Sequence, residues 1–277
     1  MLPILRIAGP LDDACGAERR RHRQGISADV PDTWQLTLLQ PRHGYRFSLD
    51  AFLLADFVPP LVHVDSPVLD LGTGCGIVAL LLARRFARAR VVGIELQSEL
   101  AMFAQLNVVR NDLGYRVDVV CADVRTLPSL VAAGAFAAVV CNPPYRRVGQ
   151  GRQNPNASRA VARHEVALTL SQLVGAAHHA LSRRGLLAMI YHPSRLVELC
   201  VELARVGFAP RRLRLVYPKP QTAASMVLIE AVCEGRDALE VLPPLFICDV
   251  NGDYTAEMRA IYQGRALSAP YGEAPHG

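Results

Sequence analysis

Lysine is almost absent from this chain: of 30 basic residues in 277, only Lys219 is a lysine and the other 29 are arginines. Part of that bias follows from an alanine-rich composition, yet the planar arginine fork suits phosphate, so the shortage of lysine does not exclude a nucleic-acid partner. The net charge of +5 is compatible with such a partner and does not require one. Long apolar runs are also missing. Nowhere do about eighteen apolar residues follow one another, and residues 1–11 are broken by Pro3, Arg6 and Pro10. The sequence therefore predicts no membrane span, no secretory signal and a cytoplasmic protein. There is no C-x-x-C pair among the seven cysteines at 15, 75, 121, 141, 200, 233 and 248. Their odd number and wide scatter argue against a disulfide framework or a bound metal and for reduced, mostly buried thiols.

No low-complexity linker divides the chain, and its length supports a full core. It reads as a basic, flexible arm over 1–33, a single domain over 34–263 and a flexible tail over 264–277. The run from Glu18 to Arg23 belongs to the arm and reads as solvated. Ordered structure is expected from Trp34, where residues 34–39 alternate apolar and polar; with Gly44 to Phe47 they suggest a short hairpin. Ser48 is placed to cap a helix over 49–57, with Asp50 in its first turn and Pro59-Pro60 beyond its end.

Residues 67–71 form a strand that runs into Asp70-Leu71-Gly72-Thr73-Gly74-Cys75-Gly76 and then an apolar helix from Ile77. Alternate glycines let the backbone approach a ligand, and the helix amino terminus offers free N–H groups and a partial positive charge. The next strand ends in Glu95, whose carboxylate is placed to accept both hydroxyls of a ribose. Read from Gly72, the dinucleotide pattern G-x-G-x-x-G/A fails at Ile77; read from Gly74 it passes at Ala79, so the loop does not decide the cofactor. A helix over 98–111 and a strand over 117–121 lead to Ala122-Asp123-Val124. Asp123 either accepts from a cofactor's adenine amino group or caps the turn that follows.

The strand over 135–140 leads to Cys141-Asn142-Pro143-Pro144-Tyr145. Two prolines stiffen the chain at a strand's carboxyl end, where open α/β sheets bind ligands. An amide oxygen and a backbone carbonyl there can accept both N–H bonds of a planar amino group while an aromatic ring stacks on it. Next come nineteen residues, 146–164, with five arginines (Arg146, Arg147, Arg152, Arg159 and Arg163), no acid, and Gly149, Gly151 and Pro155. That loop reads as a phosphate holder, with a mobile surface spacer as the alternative. His164-Glu165 reads as an anchor for its end, with His164 as a general base the alternative. A helix over 168–181, a strand over 185–191, a helix over 194–206 capped by Ser194, and strands over 211–217 and 225–234 complete the order. Two late strands without a helix between them imply an antiparallel hairpin at the sheet edge.

Asn-Pro-Pro-Tyr resembles the signature of AdoMet-dependent methyltransferases that act on an amino group conjugated to a planar system, adenine N6 or a glutamine amide. Asp-x-Gly-x-Gly-x-Gly with a strand-end acid some twenty residues on resembles the class I loop. From Gln40 to Tyr262 the chain resembles the bacterial tRNA1(Val) (adenine(37)-N6)-methyltransferase family. The resemblance rests on Gln40, Gly44, Arg46 to Asp50, Asp70 to Gly76, Asn142 to Tyr145, the loop from Gly151 to Glu165, Tyr217 to Pro220, Val227 to Glu230 and Tyr254-Thr255. It implies a Rossmann-like class I α/β fold, a seven-stranded mostly parallel sheet with an antiparallel edge strand and helices on both faces. It also implies S-adenosyl-L-methionine held by Asp70, Gly72, Thr73, Gly74, Gly76, Glu95, Leu96, Asp123, Val124 and Asn142. Catalysis would fall to Asn142, Pro143 and Tyr145, and tRNA binding to Arg46 and the five loop arginines. The rival with the same tetrapeptide is a protein glutamine methyltransferase of the release-factor type; those enzymes resemble a pattern with a helical amino-terminal domain, whereas the 66 residues before the first sheet strand here read as arm plus hairpin. A non-catalytic RNA-binding protein and a dinucleotide oxidoreductase are the other rivals.

Overall fold

The computed structural model describes residues 32–41, 48–60, 67–143, 168–236 and 238–265. Residues 1–31 of the arm, Arg46 with the second half of the expected hairpin, Pro144, Tyr145, the whole arginine loop and the tail past 265 lie outside them. Among the described residues no helix is long and apolar enough to cross a membrane.

Short apolar runs bounded by loops give the parallel strands β1 (Pro67–Leu71), β2 (Arg90–Glu95), β3 (Val117–Cys121), β4 (Phe136–Cys141) and β5 (Leu181–Tyr191). Then come β6 (Phe208–Tyr217), β7 (Met226–Cys233) and the two-residue strands β8 (Glu240–Val241) and β9 (Leu245–Phe246). The order across the sheet is β3-β2-β1-β4-β5-β7-β6, with β8 and β9 pairing parallel to the outer side of β6. Seven long strands are thus present, and the two short ones extend the edge. The late hairpin is there too. Its antiparallel strand β7 is inserted between β5 and β6, inside the sheet and not at the edge where an antiparallel strand was expected.

Helices cover both faces because strand side chains alternate. Val68, Val91 and Val140 share a core with α1 (Leu49–Phe57), α2 (Ile77–Arg85), α3 (Ser98–Arg110) and α7 (Ala256–Tyr262). Leu69, Leu71, Ile94 and Val139 share the other with α4 (Leu127–Leu130), α5 (Leu170–Ala180) and α6 (Leu196–Arg205). Asp70 lies in register with Val68, on the α2 side of the sheet. Helix α1 is apolar nearly all round and is buried accordingly. Tyr262 of α7 packs edge-on against Phe52, ring centroids 4.9 Å apart, and its carbonyl accepts from Trp34 Nε1 at 2.9 Å.

Several local expectations change. Residues 36–40 carry no helix or strand and alternate in burial, with Leu36 and Leu38 buried and Thr37 exposed; they pair with no strand, and Gln35 before them turns at φ 51°. Their backbone bonds go to two asparagine side chains of α3, as described below. Ser48 stands at the N-cap of α1 but makes no side-chain cap bond; its hydroxyl donates to the Asp50 carboxylate. The helix expected over 194–206 is split into a 3-10 turn at Pro193–Arg195 followed by α6, and its cap is His192, whose ring Nδ1 accepts from Ser194 N at 3.2 Å. Pro193 explains the split, because its fixed φ starts a turn one residue before Ser194 could act. Helix α5 begins at Leu170 behind a capping box made by Thr169 and Gln172.

Candidate active site at the carboxyl edge of the sheet

Strand register brings the functional side chains to one edge. Leu71 pairs with Ile94 on one side and Cys141 on the other, and Glu95 pairs with Cys121. The residues following these strands, Gly72, Leu96, Asn142 and Ala122-Asp123, therefore emerge side by side, about 4.8 Å per strand. The edge is tied at its centre: the Cys141 thiol donates to the Leu71 carbonyl at 3.2 Å, fixing where Asn142 and Pro143 leave the sheet. Both of these residues are half-buried.

Between β1 and α2 the chain takes three positive-φ glycines, Gly72 at 74°, Gly74 at 59° and Gly76 at 88°. The N–H groups of Gly72 and Thr73 both donate to the Ile94 carbonyl at 2.9 Å, anchoring the turn to β2. A Cβ at Gly76 would stand 3.2 Å from that of Ala104, so glycine also lets α3 pack close. At Gly72 a Cβ would meet nothing within 4 Å among the described residues, which leaves space in front of the loop.

Asp70 sits beneath this loop, almost fully buried. Its carboxylate accepts from the Thr73 hydroxyl at 2.6 Å and from the Ala79 N–H, so it caps α2 in place of Gly76, which has no side chain. Burial pushes its pKa up to about 7, only partly offset by these two bonds. The Thr73 side chain lies over Gly93 in the middle of β2. A Cβ there would fall 2.8 Å from Thr73 Cγ2 and 2.9 Å from its hydroxyl.

Glu95 is buried and turned toward the loop: Oε2 accepts from Gly74 N at 2.9 Å and Oε1 from Gln97 N at 2.8 Å. Burial holds its pKa above the ordinary value. Leu96 beside it is 47% exposed, an apolar side chain standing open at a strand end. Asp123 takes up the capping role named as one of its two readings. It caps the turn at Val124–Thr126, accepting from Arg125 N at 2.9 Å, and it grips the Arg125 guanidinium, which lowers its pKa. Val124 is buried behind it.

This arrangement fits a nucleoside carrying a charged arm. Two acids end neighbouring strands, an apolar side chain is exposed beside them, and a glycine turn opens onto free space at the positive end of a helix. Of the residues named from sequence, Gly72, Thr73, Gly74, Gly76, Glu95, Leu96, Asp123, Asn142 and Pro143 share this edge. Asp70 and Val124 lie one layer behind it, and Arg46, Tyr145, Arg146, Arg147, Arg152, Arg159 and Arg163 are outside the described residues. Sequence reasoning missed Gly93, Arg125, Asn107 and Asn111. A glycine inside a strand signals a close approach, and two asparagines four apart in an apolar helix signal a common polar job.

The fold is that of class I methyltransferases. A crystal structure of a predicted O-methyltransferase from Agrobacterium tumefaciens superposes with a TM-score of 0.62 at 24% identity, covering 78% of this chain and 96% of that one. Geranyl diphosphate C-methyltransferase from Streptomyces coelicolor, crystallised with S-adenosyl-L-homocysteine, gives 0.51 at 16% identity over 66% of this chain and 74% of that one. With its glycine loop and strand-end acids the chain is a class I AdoMet-dependent methyltransferase, and the family described as Methyltransferase domain matches residues 68–165. The tRNA1(Val) (adenine(37)-N6)-methyltransferase of Porphyromonas gingivalis is 33% identical over 189 residues, 67% of this chain and 73% of that protein. Its counterpart in Bacteroides fragilis is 30% identical over 207 residues, 74% and 85%. The chain belongs to the tRNA1(Val) (adenine(37)-N6)-methyltransferase family.

Proposed function

We propose that this protein transfers a methyl group from AdoMet to the N6 amino group of an adenine in tRNA. The observation that carries the reading is the exit of Asn142-Pro143 from β4 directly beside the glycine turn, since Cys141 and Leu71 are register partners. An amide placed there stands next to the loop that would hold the methyl donor.

When bound, AdoMet supplies an electrophilic sulfonium methyl. Everything else falls to residues of the chain. Glu95 would accept from the ribose hydroxyls, and Asp123 from the cofactor adenine. Leu96 would lie against that base, and the backbone of Gly72 to Gly76 would hold the charged arm. On the acceptor side the N6 lone pair is delocalised into the ring, which makes it a poor nucleophile. The Asn142 amide oxygen and the Pro143 carbonyl accept its two N–H bonds, favouring a more tetrahedral, electron-rich nitrogen. Tyr145 would supply the ring that stacks on an adenine swung out of its neighbours' stack. Arg46 and the loop arginines 146, 147, 152, 159 and 163 would bind tRNA phosphates. Positioning is the main lever, and well-oriented neighbours can supply about 7–11 kcal/mol. The proton leaves through water, so no dedicated base is needed.

The family supports adenine over the glutamine amide as acceptor. The test is Asn142→Ala, assayed in parallel for methyl transfer to tRNA and for AdoMet binding by calorimetry. Transfer should fall by about a hundredfold or more, the cost of removing one oriented polar group; AdoMet affinity should stay close to that of the parent, because Asn142, named above among the cofactor contacts, is assigned here to the acceptor alone. Parallel loss of AdoMet binding would remove Asn142 from the acceptor side.

A further inference from the structure

Asn107 of helix α3 and Asn111 at its C-cap, both buried and one turn apart, together take the place of a β-strand. Asn111 Oδ1 accepts from Thr37 N at 2.7 Å while its Nδ2 donates to Thr37 O at 2.8 Å. Asn107 repeats this at Leu39, accepting from its N–H at 2.6 Å and donating to its carbonyl at 2.8 Å. The spacing is what makes the match. Residues i and i+4 on a helix lie about 6 Å apart along its axis, close to the two-residue repeat of an extended chain. An extended strap that would otherwise be a bare sheet edge is thereby satisfied by side chains.

The two asparagines differ in their remaining bond. Asn111 Nδ2 donates to the Asn107 carbonyl at 2.7 Å, within its own helix. Asn107 Nδ2 donates to the carbonyl of Cys75, inside the glycine turn, at 2.8 Å. Helix α2 leaves that carbonyl without a backbone donor. The Leu80 N–H goes to Gly76 O, and the Ala79 N–H that would reach Cys75 is directed to the Asp70 carboxylate. Asn107 is fully buried and bonds both the strap and the cofactor loop.

We propose that Asn107 is a positioning residue for AdoMet: it sets the shape of the glycine turn through its bond to the Cys75 carbonyl, while its other bonds hold the strap at Leu39. This rests on the reading of the turn as the AdoMet site. A side chain that touches no part of the cofactor then controls its affinity, and its neighbour Asn111, with the same grip on the strap, does not.

The experiment compares Asn107→Ser with Asn111→Ser. AdoMet affinity is measured by calorimetry well below the melting temperature of either variant, and amide exchange across 72–76 is followed without ligand. Both should melt lower than the parent, because each loses its bonds to the strap. Asn107→Ser should in addition weaken AdoMet binding by about tenfold, the worth of one buried hydrogen bond, and speed exchange in the turn. Asn111→Ser should hold its affinity within about twofold of the parent, less than half a kcal/mol. Equal losses in the two variants, or unchanged affinity in Asn107→Ser, would overturn the proposal. If Asn107→Ser does not fold, Asn107→Asp keeps the acceptor for the Leu39 N–H, loses the amide donor to Cys75, and is read by the same criteria. A parent protein that binds no AdoMet would refute the methyltransferase reading itself, separately from the role of Asn107.

Discussion

Asp70 should make AdoMet binding depend on pH near neutrality. Its carboxyl group is buried under the glycine turn and titrates at about 7 against an ordinary 3.8, a displacement on the order of 4 kcal/mol at about 1.36 kcal/mol per pH unit. Because the folded protein holds this proton more tightly than the unfolded chain, raising the pH from about 4 through 7 lowers stability, and the loss levels off above that. AdoMet brings a net positive charge to the same loop and favours the ionised carboxylate. With a pKa of about 7, the ionised fraction rises from about one tenth at pH 6 to about nine tenths at pH 8, so affinity should tighten about tenfold over that range. Near pH 7 each AdoMet bound should release about half a proton, measurable by titration calorimetry in two buffers of different ionisation enthalpy. Glu95 is also raised by burial, and Asp70→Asn separates the two. That variant should bind AdoMet with little change between pH 6 and 8 and should lose the decline in melting temperature. A flat profile in the parent, or the same slope in Asp70→Asn, would refute the reasoning.

Gly93→Ala places a methyl 2.8 Å from Thr73 Cγ2 and must displace Thr73 from the Asp70 carboxylate. Thermal unfolding should show a loss of about 1–3 kcal/mol, and calorimetry should show weaker AdoMet binding. Replacing Arg152 and Arg159 should weaken tRNA binding and flatten its dependence on salt by about one unit of slope per lost phosphate contact. Binding measured across a salt series checks this; an unchanged slope would make the loop a spacer.

The parallel half of the sheet was legible because each strand is a short apolar run with a sharp end. Strands β1 and β3 match their expected residues, bounded by Gly72 and by Ala122-Asp123. The glycine turn and the strand-end acids were legible for the same reason: their meaning comes from position along the chain. Contacts across the chain were not. Nothing local to residues 34–39 tells an alternating segment that its partners are the amides of Asn107 and Asn111, 68 and 74 residues away, and not another strand. Asp70 was read as a cofactor contact from its place before Gly72. Its burial and its cap of α2 depend on α2 turning back over β1, which spacing does not record. The insertion of β7 between β5 and β6 is likewise a choice among edges that a hairpin pattern leaves open. There Glu230 settles the pairing in space, fully buried on β7 and gripped by Arg211 and Arg212 of β6, with Arg212 also donating to Phe57 O at 2.8 Å.

The claim that joins these elements is methyl transfer to adenine N6 in tRNA. Its most direct test is mass spectrometry of nucleosides from the total tRNA of a strain lacking this gene, beside the same strain carrying the parent gene or the Asn142→Ala form. N6-methyladenosine should be missing from the deletion and the variant and present with the parent gene. An undiminished N6-methyladenosine peak in the deletion strain would contradict the account.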